Sequence, residues 1–71
     1  MTKRIEIPLA DKVSFSPEEA TQVTSIGLDT IRAAIRSGRL RAHAIGRRHI
    51  VRRADLEAWL ETLPRVNEEA T

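Results

Sequence analysis

Leu56, Trp59, Leu60 and Leu63 recur at i, i+3, i+4 and i+7, and Pro64 follows directly. This spacing puts four large apolar side chains on one face of a helix that the proline then stops, predicting a closing helix from about Ala54 to Leu63. Such a stripe must be buried, yet the chain has 71 residues, and a domain that short buries only about 60% of its unfolded surface. The remaining apolar residues therefore have to converge on this stripe, giving one domain with one small core. Trp59 stands in register with three leucines, so it reads as the largest piece of that core and not as a base-stacking platform. There is no cysteine, which removes disulfides and thiolate metal sites and fits a reducing cytoplasm.

Upstream, a helix start is written several times over. Ser16 can cap, Pro17 suits the first helical position, Glu19 completes a capping box, and Phe15 can staple onto Ala20. The first helix should run from Pro17 to about Thr24, with Ala20, Val23 and the methyl of Thr24 as a narrow buried stripe. Thr24-Ser25-Ile26-Gly27 interrupts the pattern, Ile26 acting as an apolar plug and Gly27 supplying backbone freedom. A second helix follows from about Leu28 to Ser37, and Gly38 ends it. Ile31, Ala34 and Ile35 line its inner face, whereas Asp29, Arg32, Ala33 and Arg36 repeat on the opposite one. Two helices joined by about four residues, the second polar and basic outside, meet the requirements of a helix-turn-helix entering a major groove. A helical hairpin with a solvated face satisfies the same pattern, so the neighbouring sequence has to decide.

That neighbourhood is basic. Between Thr30 and Ala54 lie eight arginines, two histidines and no acidic residue, so the rest of the chain carries a net −6 beneath an overall +2. A solvated surface usually mixes signs, and an all-arginine block points to a polyanion, because guanidinium forks match phosphate oxygens and guanine edges. Leu40 to Arg53 reads as two short strands around a Gly46-Arg47-Arg48 turn, with His43, Ile45, His49 and Val51 sharing one face: a hairpin wing. Arg47 and Arg48 then sit at its tip. His43 and His49 can face each other across such a hairpin as a pH-sensitive pair, although solvated histidines are the more ordinary reading.

The expected architecture is mainly α with a small β-hairpin, three helices plus a wing over residues 13–64. Residues 1–12 read as a flexible arm with a short strand at Ile5 to Ile7, and residues 65–71 as a disordered tail. No stretch approaches the roughly 18 apolar residues of a membrane span, and Glu6, Pro8 and Asp11 interrupt any signal-peptide run, so the chain reads as soluble and unexported. The two histidines lack the carboxylate or cysteine companions of a metal site, and no catalytic constellation, metal or cofactor is expected.

In order and spacing, the segments SPEEA, TIRAAIRSGRL, IGRR and ADLEAWL resemble the excisionase branch (recombination directionality factors) of the winged helix-turn-helix superfamily related to MerR-type DNA-binding domains. The resemblance spans Phe15 to Leu63. It implies a second helix inserted in the major groove of double-stranded DNA and a wing on the adjacent minor groove or backbone. Carried onto this chain, it places Asp29, Thr30, Arg32, Ala33 and Arg36 towards the groove and Arg47, Arg48 and His49 on the wing. Arg32 suits a bidentate contact to guanine, Arg36 a base or phosphate, Thr30 a phosphate, and Asp29 either cytosine N4 or the orientation of Arg32. The chain departs from the family where glycine is usual, at Ser25, and where a polar or basic residue is usual, at Leu28. Small members without a sensor domain include bacteriophage excisionases, which bind attachment sites cooperatively, bend them and direct an integrase towards excision in the cytoplasm of a bacterial host, at the nucleoid. This chain has no tyrosine for a tyrosine-recombinase nucleophile, so catalysis would belong to that partner. A small stand-alone MerR-like transcriptional regulator would make the same DNA contacts, and a protein-interaction module would instead set the arginines against an acidic protein surface.

Overall fold

Two reciprocal hydrogen bonds open the first helix. In the computed structural model, which describes residues 7–66, α1 spans Pro17–Thr24. Ser16 Oγ accepts from the Glu19 N–H at 3.1 Å, and Glu19 Oε1 accepts from the Ser16 N–H at 3.0 Å. The expected capping box is thus complete. The other Glu19 oxygen pairs with the Lys12 ammonium. That hydrogen bond, followed by the one from the Ser16 backbone, holds the Glu19 carboxyl below its ordinary 4.5.

Of the stripe expected on α1, Ala20 is fully buried, but Val23 is 39% exposed and lines an open cleft with Leu9, Phe15 and Leu60. The turn after α1 also differs from expectation. Gly27 has an ordinary φ of −59°, and the left-handed residue is Ser25, with φ 62°. The Ser25 N–H reaches Thr21 O at 2.8 Å. Thr24 Oγ1 donates to Ala20 O and accepts from the Ile26 N–H, so hydroxyl bonds hold the corner where glycine is absent.

Helix α2 spans Leu28–Arg36 with Ser37 as its C-cap. Gly38, at φ 81°, donates its N–H to Ile35 O, and the Leu40 N–H then reaches Ala34 O at 3.1 Å. This reversal drops Leu40 into the core at 1% exposure. Only a residue tolerant of positive φ allows so tight an exit.

The sheet has three antiparallel strands in the order β1-β3-β2. Strands β2, His43–Ile45, and β3, Arg48–Arg52, form the expected wing, while β1, Ser14–Phe15, adds a strand to it. The hairpin turn is the two-residue Gly46-Arg47, since Ile45 pairs directly with Arg48. Gly46 has φ 59°, suiting the first central position of a two-residue hairpin turn. The expected three-residue turn is therefore corrected, and with it the facing. His43 pairs with Ile50 and His49 with Ala44, so the two histidines point to opposite faces and form no pair. His43 Nε2 lies 3.8 Å from Asp55 Oδ2 instead.

Helix α3 spans Arg53–Glu61 and closes the core with Leu56 and Trp59, each 4% exposed. It ends earlier than Leu63, which is 37% exposed. Pro64 disfavours helical geometry in the residue before it, and the last turn tightens as the Thr62 N–H reaches Trp59 O and the Leu63 N–H reaches Leu60 O. The core comprises Phe15, Ala20, Ile31, Ala34, Leu40, Val51, Leu56 and Trp59. A 3-10 turn at Leu9–Asp11 lies within the segment expected to be an arm, and Leu9 packs on this core. The strand expected at Ile5 to Ile7 lies, apart from its last residue, outside the described residues, as does most of the expected tail.

Ser25→Gly should raise unfolding free energy by about 0.5–1 kcal/mol, the left-handed penalty of a side chain less glycine's entropy cost, as urea denaturation will measure. Glu19 contributes stability above its unfolded pKa that is lost as pH falls through its lower folded value. Between about pH 5 and pH 3, Glu19→Gln should therefore flatten this part of the decline in urea midpoint, at a cost near neutrality of about 1 kcal/mol or less.

Candidate nucleic-acid interface

Helix α2 stands out from the body as a ridge. With Ile31 and Ala34 buried beneath it, the 100° step of an α-helix turns Asp29, Ala33 and Arg36 outward, and all three are exposed. Arg32 leans to one flank, towards the wing, and Thr30 and Ser37 lean to the other. Each flank is a cleft. Arg32 and Arg36 join Pro17, Glu18 and Ile35 of the helical pair and Arg47 and His49 of the wing around an open cleft of about 470 Å³. On the other flank Thr30, Ala33, Ser37 and Arg39 face Trp59, Thr62, Leu63 and Pro64 across about 760 Å³.

The wing reaches the first cleft because of the β3 register. His49 shares a face with Val51, two residues on, which is fully buried, so His49 continues the core-facing side outwards until it overhangs α2. Arg47, in the turn, extends the same edge. Arg48 opens β3 opposite Ile45 and so lies on the other face of the hairpin, with Ile50 and Arg52. Of the eight candidate residues, the structure brings Arg32, Arg36, Arg47 and His49 together. Thr30 lies on the far flank, Asp29 and Ala33 are exposed on the ridge with Ala33 bordering the far cleft, and Arg48 points away on the wing.

One arginine of the basic block is not available to a ligand. Arg53 donates from Nε to Lys12 O at 3.0 Å and from Nη2 to the Lys12 and Ala10 carbonyls, and its guanidinium lies 5.5 Å from the Phe15 ring centre. It ties the N-terminal turn to α3. The sequence gives no sign of this, because Arg52 and Arg53 look alike until α3 starts between them. Nothing local in the sequence marks Glu18 either, although its Oε2 accepts from Arg32 Nη2 at 3.2 Å within the cleft. Only the crossing of α1 over α2 places them together.

The cleft therefore presents three half-exposed or exposed guanidiniums against one carboxylate, a surface for a polyanion with donors fanned over a helix and a hairpin tip. Among the described residues no group of three His, Cys, Asp or Glu side chains is placed to hold a metal ion, and no helix is long and apolar enough to cross a membrane.

A family model described as a helix-turn-helix domain matches residues 14–64. The chain belongs to that family of helix-turn-helix DNA-binding domains. No curated protein and no solved structure matches it.

Arg36→Ala should weaken DNA binding by roughly five- to tenfold at moderate salt and make the salt slope shallower by about 0.9 if it holds one phosphate. Arg53→Ala should instead lower the thermal midpoint and leave the slope unchanged. Fluorescence anisotropy across a salt series, paired with thermal melts, separates the two.

Proposed function

We propose that this helix-turn-helix protein is an architectural DNA-binding protein of the excisionase type, which binds attachment-site DNA cooperatively, bends it and directs an integrase towards excision. The observation that carries the reading is the convergence of Arg32 and Arg36 from α2 with Arg47 and His49 from the wing on one cleft. A helix ridge flanked by a basic hairpin can enter a major groove about 12 Å wide while the hairpin takes the neighbouring backbone or minor groove. In this reading residues 13–64 are the DNA-binding unit, between an arm over 1–12 and a tail over 65–71.

The roles follow from position. Asp29, Ala33 and Arg36, on the crest of α2, meet base edges: Asp29 accepts from cytosine N4, Ala33 contacts a thymine methyl and Arg36 takes a base or phosphate. Arg32 reads a guanine from the wing-side flank. Thr30 meets a phosphate on the other flank. Arg47 and His49 hold the adjacent strand, and Arg48 reaches the backbone from the outer face of the wing. Bending 20–30 base pairs by 40–90° costs about 1–6 kcal/mol, a large demand on one protomer with so small an interface. Several protomers on neighbouring sites would share it, and the integrase would supply the chemistry.

Selection from random duplex DNA with the purified chain should enrich same-direction motifs repeated about every 10 base pairs. An isolated or inverted motif would overturn the excisionase reading in favour of a MerR-like transcriptional regulator. Absence of any motif would overturn sequence-specific binding altogether. If about five arginines engage phosphates, the logarithm of affinity should fall against the logarithm of salt with a slope near −4.5.

A further inference from the structure

Among the described residues lining the arginine cleft, Glu18 is the one acid. It stands in the first turn of α1, and its Oε2 accepts from Arg32 Nη2 at 3.2 Å, with both side chains more than half exposed. An ion pair so solvated adds little to folding stability. Its consequence is electrostatic and local, because it puts a negative charge beside a guanidinium that would otherwise accept any phosphate.

We propose that Glu18 is a specificity-determining residue that keeps Arg32 from backbone phosphate and leaves it to a guanine edge. A phosphate approaching Arg32 carries a full negative charge and meets the Glu18 carboxylate at the same place. The guanine major-groove edge offers two uncharged acceptors, O6 and N7, and meets no such repulsion. The guanidinium fork has five N–H donors, and Glu18 engages Nη2, so the remaining donors stay open to a base. Among the described residues, Arg36 and Arg47 carry no ion pair in the cleft and stay open to phosphate. One arginine is thereby converted from a contributor to general affinity into a reader of sequence, by a neighbour that itself need not touch DNA.

The inference rests on the cleft being the DNA-binding face, and the test separates the two. The full chain and its variants are titrated, over a salt series, against a selected duplex and a scrambled duplex of equal length. Glu18→Gln keeps the side-chain shape and removes the charge. It should tighten binding to the scrambled duplex by roughly three- to tenfold, steepen the scrambled-duplex salt slope by about 0.9 and lower the ratio of selected to scrambled affinity. Glu61→Gln removes the same charge from the exposed end of α3 and should leave that ratio unchanged. In an Arg32→Ala background, Glu18→Gln should have no effect, which a merely structural role for Glu18 would not predict. An equal gain on both duplexes, or a gain that persists without Arg32, overturns the proposal while leaving the cleft as the DNA site. A wild-type chain that binds neither duplex overturns the cleft reading itself.

Discussion

The register of β3 is the constraint on which the rest of the molecule depends. This one strand is paired on both sides, by Phe15 through Val51 and by His43, Ala44 and Ile45 through Ile50, His49 and Arg48. Val51 is fully buried and Phe15 nearly so, so their cross-strand contact joins the sheet to the core. Strand alternation then fixes everything on either side of Val51. His49 must overhang the cleft, Arg48 must face away, and Arg52 must lie opposite Ser14. A slip of one residue would expose Val51 and carry His49 to the outer face, so core formation and the shape of the candidate interface are one decision.

Because α3 begins directly after β3, the same strand also aims the last helix. The Arg53 N–H bonds to Val13 O, and its guanidinium caps the carbonyls of the N-terminal turn while lying over Phe15. Chain segments some forty residues apart are thus closed around one side chain. In a core of eight buried residues, the largest fully buried ones being Ile31, Leu40 and Val51, such a clasp adds order that apolar area alone supplies sparingly. It also explains why the eight arginines of the basic block do not act alike: seven are exposed, and one holds the fold.

Local signals were legible and non-local ones were not. The start of α1 stood in the sequence because a capping box closes within four residues, and the α2 faces followed from helical spacing around Ile31 and Ala34. Trp59 is legible as core for the same reason. The hairpin is legible but its facing is not: a three-residue turn would pair Ile45 with His49 and put His43 on the same face, whereas the two-residue turn pairs His43 with Ile50 and sends the two histidines to opposite faces. β1 is only two residues long and has no periodicity of its own; its pairing with β3 creates it. Leu40 gave no core signal because its burial comes from the Gly38 reversal and not from a repeat. At the site, the convergence of the wing on α2 was anticipated as a resemblance, whereas the split of α2 into a wing-side and an α3-side flank needed the tertiary arrangement. The pairing of Glu18 with Arg32 depends on how two helices cross, which a single sequence does not encode in any local pattern.

Concentrating positive charge in one segment of so small a domain works against the fold and for the ligand at once. Like charges held within a Debye length, about 8–10 Å at moderate salt, repel in the free protein. A small core has little surplus with which to absorb that repulsion. The chain limits it in two ways visible in the structure: Arg53 is turned into backbone carbonyls, and Glu18 and Asp55 stand next to the basic segment at Arg32 and His43. The remaining guanidiniums lie exposed and spread over α2, the segment after it, the hairpin turn and β3, which keeps them hydrated and apart. A polyanion bound across that surface would remove the repulsion and stabilise the native state through linkage, by about 2.7 kcal/mol when present at a hundred times its dissociation constant. Charge segregation that is a liability for the isolated domain thereby becomes a coupling between folding and binding, with salt acting on both in opposite directions: it screens the repulsion that weakens the fold and weakens the attraction that holds the ligand.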